Sequence, residues 1–316
     1  MLESVHMKFK ISIALITVAG VLALLFALST LKKNGGATEV AASFYPIAFL
    51  AERVAGDSVT VFSVTPFDTE PHDYELTPSM ALRLSNAALF IHTGAHLEPW
   101  ANTVITTRNT QELPSLTLLT EENALLHGED TETDTRGDDG SEFDPHFWLS
   151  PLRAIAAADQ IAFTLAHVYP EDEAVFTANA HALTTTLKKL DAAYRTELAS
   201  CTSRILVTDH DAFGYLAADY GLTVHAIRGI SPDEEPSIAT LAAITELVRT
   251  NNIKTIFTEE LVSPTIAQTI ARETGAHVAL LSTIEGLTED DIKNGNDYIS
   301  KLRGNLTTLK KSLACN

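Results

Sequence analysis

From Glu171 to Leu198 the chain runs without Gly or Pro, and apolar residues recur at helical spacing: Val175, Ala178, Ala182, Leu183, Leu187, Leu190, Ala193 and Leu198. The pattern predicts one long helix. At about 1.5 Å per residue it reaches about 40 Å, the length of a whole lobe. Average globular helices have about 11–12 residues. A helix this long suits a rigid spacer between two domains.

Short apolar strands alternate with helices on either side of it. Before it, strands are expected at Glu39–Phe44, Val59–Val64 and Ala88–His92. Helices are expected from Pro46 to about Ala55, at Met80–Ser85, at Leu97–Thr107 and at Leu152–Val168, where Pro170 ends the run. After it, strands are expected at Arg204–Thr208, Thr223–Ile227, Lys254–Thr258 and His277–Leu281. Helices follow at Ala212–Tyr220, Ser237–Thr250 and Ser263–Thr274, with one closing helix at Asp291–Leu313. Such alternation builds parallel sheets covered by helices. The fold class is therefore α/β: two lobes, each with a mostly parallel sheet flanked by helices, joined by one long rigid helix. The expected boundaries are 1–36 for an N-terminal targeting segment and linker, 37–168 for the first lobe, 169–200 for the linking helix and 201–316 for the second lobe.

Lys8 and Lys10 precede an uncharged apolar run from Ile11 to Ser29, and Lys32 and Lys33 follow it. A basic start and an apolar core describe an export signal, with Met7 as an alternative start and Ala27-Leu28-Ser29 offering small residues for cleavage. The run is also just long enough to span a bilayer, so an uncleaved anchor stays open. No Cys lies near it, which argues against a lipid anchor. The two cysteines, Cys201 and Cys315, are expected to pair outside the cytoplasm, closing the C-terminal half.

The formal net charge of −19 excludes a nucleic-acid partner, because phosphate contacts need clustered Lys and Arg. It also opposes electrostatic adhesion to anionic lipid. Residues 121–145 carry much of the acid: Glu121, Glu122, Glu129, Asp130, Glu132, Asp134, Asp138 and Asp139. With few apolar residues, the segment reads as a solvated acidic loop, and His127 inside it as a bystander rather than a metal recruiter.

The common enzyme signatures are absent: no His-Glu-x-x-His, Cys-x-x-Cys, Walker-type loop, Gly-x-Gly-x-x-Gly or Gly-x-Ser-x-Gly occurs. Three histidines stand out by position. His72 lies in the loop after the second strand, His146 at the end of the acidic loop, and His210 just past the first strand of the second half. Ligands of open parallel sheets bind beyond the carboxyl ends of the strands. One histidine from each half can therefore meet in a cleft. Asp73 and Asp211 flank His72 and His210, and a carboxylate commonly holds the second nitrogen of a ligating imidazole. Imidazole suits zinc and other late first-row ions. A solvated loop histidine, or an Asp-His acid–base pair, is the competing reading of each.

Four segments carry a family resemblance: Ala42-Ser43-Phe44-Tyr45-Pro46, Glu70-Pro71-His72-Asp73-Tyr74-Glu75, Asp144-Pro145-His146-Phe147-Trp148-Leu149-Ser150-Pro151 and His210-Asp211-Ala212-Phe213-Gly214-Tyr215. In order and spacing they resemble the zinc/manganese-binding components of cluster A-I ABC importers, over roughly residues 39–314. The resemblance implies two α/β lobes joined by one helix, an ion between the lobes, and His72, His146 and His210 as ligands. It also implies an ABC permease as partner, a location outside the cytoplasm, a monomer and no enzymatic activity. A histidine at position 210 resembles the zinc-type members; manganese-type members have a carboxylate there. Many relatives place an Asp where this chain has Ser282. The chain instead resembles a subset that uses a Glu three residues later, so Glu285 is the expected fourth ligand. Glu259 and Glu260 are the alternatives, as is water. Zn2+ is the expected cargo. The rivals are a manganese or iron binder of the same fold, a zinc hydrolase using Asp73, Asp211 or Glu259 as base, and an adhesin-like surface protein with a structural ion.

Overall fold

A computed structural model describes residues 39–120 and 143–315. The apolar run Ile11–Ser29, the linker at 35–38, most of the acidic stretch and His127 lie outside the described residues. Among the described residues no helix is long and apolar enough to cross a membrane.

The chain begins with β1 (Glu39–Ala42), α1 (Tyr45–Ala55), β2 (Thr60–Ser63), α2 (Pro78–Ser85), β3 (Leu89–Gly94), α3 (Ala101–Thr110) and β4 (Ser115–Leu119). The four strands form one sheet in the order β2-β1-β3-β4, with every pair parallel. Alternation along the strands covers both faces. Val40, Ala42, Leu89 and Ile91 face the main core, whereas Ala41, Phe62 and Phe90 face a smaller cluster. Strand β4 has no counterpart among the sequence expectations. Its Ser-Leu-Thr-Leu-Leu is short and interrupted by the polar Ser115 and Thr117, and its pairing with β3 supplies the order that its composition does not.

Pro46, Pro78 and Pro151 each sit in a first helical turn, where the missing N–H costs nothing. Helix α4 (Pro151–Val168) packs against α5 (Glu173–Leu198), which follows a single 3-10 turn at Pro170–Asp172. Helix α5 is the expected long helix, 26 residues in one piece. Its buried stripe is Phe176, Ala180, Leu183, Leu187, Leu190, Tyr194 and Leu198. Val175, counted in the sequence pattern, is instead 41% exposed.

The second half contains β5 (Ile205–Thr208), α6 (Gly214–Tyr220), β6 (Thr223–Ala226), α7 (Ile238–Thr250), β7 (Thr255–Thr258), α8 (Thr265–Thr274) and β8 (His277–Leu280). Its strands pair two by two, β5 with β6 and β7 with β8, all parallel. The expected single closing helix is two helices, α9 (Glu289–Asn294) and α10 (Tyr298–Ser312). Gly295 breaks it, taking a left-handed φ of 69° that a side chain would resist. Asp297 then opens α10 with a reciprocal cap: its side chain accepts from Ser300 N at 2.9 Å, and its own N donates to Ser300 Oγ at 2.7 Å.

The main core crosses between the halves. Phe44, Trp148, Leu187, Tyr215, Tyr298 and Leu302 belong to one buried cluster. The Tyr194 hydroxyl on α5 donates to the Leu302 carbonyl on α10 at 2.6 Å. Cys201, just past α5, is disulfide-bonded to Cys315, just past α10, as the sequence led one to expect.

Candidate metal centre

Four segments converge on one buried point. His72 comes from the loop between β2 and α2. His146 caps the 3-10 turn Phe147–Leu149 that leads into α4. His210 stands two residues past β5, and Glu285 lies between β8 and α9. The side chains of His146 and His210 are fully buried, that of Glu285 is 1% exposed and that of His72 is 8% exposed.

All three imidazoles present Nε2 to the same place. His146 Nε2 lies 3.2 Å from His72 Nε2 and 3.3 Å from His210 Nε2. Glu285 Oε1 lies 3.6 Å from His146 Nε2, 3.8 Å from His72 Nε2 and 3.9 Å from His210 Nε2. All four atoms fall within 4.8 Å of one another. A zinc ion with ligands at about 2.0–2.1 Å in a tetrahedron needs donor–donor edges of about 3.3–3.4 Å. The observed edges bracket that value. Glu285 Oε1 is buried and has no hydrogen-bond partner. Leaving a carboxylate oxygen so costs free energy unless something positive meets it.

Two of the imidazoles are held from behind by carboxylates. Asp144 Oδ1 accepts from both Nδ1 and the backbone N of His146, each at 2.8 Å. Glu259 Oε2 accepts from His210 Nδ1 at 2.6 Å, and its Oε1 accepts from His210 N at 3.2 Å. These bonds fix the tautomer that leaves Nε2 free as a donor of electrons. The flanking Asp73 and Asp211, expected in this role from the sequence, do not fill it. Asp73 is exposed and pairs instead with Asp233 from the second half. Glu259, an alternative ligand in the sequence reading, spends its oxygens on His210, and Glu260 pairs with Lys301.

The segment bearing Glu285 is clamped at several points. Ser282 N donates to Asn305 Oδ1 at 2.8 Å, and Asn305 Nδ2 donates to Ser282 O at 2.7 Å. Trp148 Nε1 donates to Thr283 O at 2.8 Å, and Leu287 N donates to Phe67 O at 2.8 Å. The last two bonds tie the segment to the first half of the chain. The turn itself is made by Ile284 at φ 55°, rare for a β-branched residue. Gly286 serves by its lack of a side chain, since a Cβ there would lie 2.0 Å from Phe67 O. The left-handed φ of this turn belongs to Ile284, two residues earlier.

The electrostatics follow from burial and these bonds. Burial, with the charge of His146 beside it, pushes His72 down to about 3. Burial also opposes charge on His146, but its hydrogen bond to Asp144 and the nearby negative charge of Glu285 outweigh it and lift the group to about 9. His210 is raised as well: burial works against it, and the Glu259 carboxylate prevails. Glu285 is held down at about 2, its burial overcome by His146 and the other imidazoles. The ground state favours an anionic oxygen facing imidazoles, two of which readily take protons.

Residues 40–312 match the family described as zinc-uptake complex component A, periplasmic. The chain belongs to this family. It is similar to the zinc-binding lipoprotein AdcA of Streptococcus pneumoniae, 37% identical over 306 residues covering 96% of this chain and 61% of AdcA. The chain thus spans about three fifths of the length of that relative. It is also similar to the high-affinity zinc uptake system protein ZnuA of Bacillus subtilis, 31% identical over 89% of each chain. Among solved structures, the Zn(II)-bound ZnuA-like domain of Streptococcus pneumoniae AdcA has a TM-score of 0.74 and 36% identity, covering 88% of this chain and 99% of that one. The fold shared with these proteins is the α/β arrangement of two lobes and a long connecting helix. Asp144 and Glu259 had no assigned supporting role in the sequence reading. Asp144 stands two residues before a singled-out histidine, which is a usable signal; Glu259 is 49 residues from His210 and leaves no local trace.

Proposed function

We propose that this protein captures one zinc ion outside the cytoplasm and delivers it to the permease of an ABC importer. It is a transport component and not an enzyme. His72, His146, His210 and Glu285 are the ligands. The observation that carries this reading is the buried, unpartnered Oε1 of Glu285 aimed at three converging Nε2 atoms. Four protein donors close a tetrahedral site and leave no position for a catalytic water, which separates it from a hydrolase. Three imidazoles favour zinc over manganese, which prefers oxygen. One chain supplies every ligand, so the binding unit is a monomer. The segment Ile11–Ser29 exports the chain or holds it at the outer face of the membrane.

The test is a competition titration of the metal-free protein with zinc and then manganese against a chelator. One zinc per chain, bound more tightly than manganese and lost in His210→Ala, is the expected result. Manganese bound as tightly as zinc, or an unchanged titration in His210→Ala, overturns the reading.

A further inference from the structure

Glu285 uses its two oxygens differently. Oε1 faces the imidazoles, whereas Oε2 accepts a hydrogen bond from Thr283 Oγ1 at 2.8 Å. Thr283 is 3% exposed and Glu285 2% exposed, so no bulk water competes for that bond. We propose that Thr283 is a positioning residue that makes Glu285 a one-oxygen ligand, and thereby sets the coordination number and the choice of metal. The inference rests on the reading of Glu285 as a ligand.

A carboxylate meets a cation through one oxygen or through both. Four donors satisfy zinc in a tetrahedron. Manganese accepts more oxygens and gains from each added one. A hydroxyl that occupies Oε2 therefore works against manganese more than against zinc. The hydroxyl has little freedom to leave. Thr283 is β-branched, which restricts its χ1. Its carbonyl accepts from Trp148 Nε1, and the Trp148 ring lies against His146 with centroids 5.1 Å apart. On the other side Ser282 is fixed by Asn305, and Ser282 Oγ accepts from Ile284 N at 3.2 Å. Remove the hydroxyl and the buried Oε2 loses its hydrogen bond from Thr283. The ion is then the nearest group that satisfies it, and the carboxylate turns to offer both oxygens.

The experiment compares wild type with Thr283→Val, Thr283→Ala and Thr283→Ser, loaded with Co2+ as a spectroscopic stand-in and titrated with zinc and manganese. Thr283→Val keeps the shape and removes the hydroxyl; Thr283→Ala does so with less bulk if the first variant folds poorly. In either, the intense visible bands of tetrahedral Co2+ should weaken, and the preference for zinc over manganese should fall about tenfold, the lower end of the range for losing a ligand's outer partner. Thr283→Ser should restore both. A wild-type cobalt spectrum and an unchanged zinc-to-manganese ratio in the hydroxyl-free variants overturn the proposal. Glu285→Gln separates this from failure of the parent reading. If that variant binds zinc like wild type, Glu285 is no ligand and both readings fall. If it loses zinc while the threonine variants are silent, only the role of Thr283 falls.

Discussion

Glu259 grips His210 twice, through Nδ1 at 2.6 Å and through the backbone N at 3.2 Å, and so fixes both the ring and the chain that carries it. An imidazole held this way offers Nε2 at a set angle, but Glu259 itself stays one atom shell behind the centre.

Removal of that grip should therefore cost less than removal of Glu285. Glu259→Gln is expected to weaken zinc binding about 10–100-fold, the usual range for an outer partner of a ligand. Glu285→Ala removes an anionic oxygen facing the ion and is expected to exceed that loss. Parallel titrations against one chelator decide the order, and a larger loss in Glu259→Gln would place the fourth ligand on the wrong segment.

Zinc uptake should expel protons. His146 is lifted to about 9, so without an ion it carries a proton at pH 7.5 that the metal must displace. His210 is raised too and adds a second as the pH falls into its range. His72, pushed down to about 3, is already neutral and adds none. Lower pH favours the protonated, ion-free form, so affinity falls as pH drops below about 9, about tenfold per unit for each proton released. Calorimetry in two buffers of different ionisation enthalpy should count at least one proton per zinc at pH 7.5. A count of zero would remove His146 from the ligand set.

Gly286→Ala should disturb the centre from outside it. The new Cβ would fall 2.0 Å from Phe67 O, a backbone atom that has no rotamer to move aside. The bond from Leu287 N to Phe67 O must stretch, and the Glu285 segment shifts with it. Zinc affinity is expected to drop several-fold and the melting temperature to fall. A variant indistinguishable from wild type in both would show that this crossing contact bears no strain.

The bond between Cys201 and Cys315 closes a loop with a sequence separation of 114. A loop of that size constrains the unfolded chain by about 4–5 kcal/mol in the chain-entropy account. The Cys201→Ser, Cys315→Ser double variant should melt about 10 °C lower, at about 2–4 °C per kcal/mol. It should still bind one zinc, because neither sulfur belongs to the centre. Melting curves with and without reductant should show the same gap in wild type.

Local signals in the sequence located most elements to within a few residues. Proline at a first helical turn and short apolar runs are local facts, and Pro46, Pro151 and the strand Ile205–Thr208 announce themselves. Strand β4 does not, because Ser115 and Thr117 interrupt its short apolar run and only its neighbour β3 gives it a reason to extend. The break at Gly295 was also legible in principle, yet the flanking helical pattern masks it. At the centre, the histidines were visible as loop residues after strands, and their convergence is a property of the fold. The carboxylates that hold them were misread. Asp73 and Asp211 are neighbours in sequence, but a bond to an imidazole depends on which chain passes behind the ring. For His210 that chain is the end of β7, which nothing near residue 210 records.

The paired histidines have one more consequence. Below the raised pKa of His210, the ion-free centre holds two Nε2 protons, one on His146 and one on His210. Zinc brings two positive charges and displaces both. Loading is then an exchange of a dication for two protons, and the charge enclosed by the protein is the same before and after. The net charge that the surrounding buried carboxylates face is therefore unchanged on loading, although its position is not. Release works the same way in reverse: below the raised pKa of His210, two protons arriving from solvent take the place of the ion.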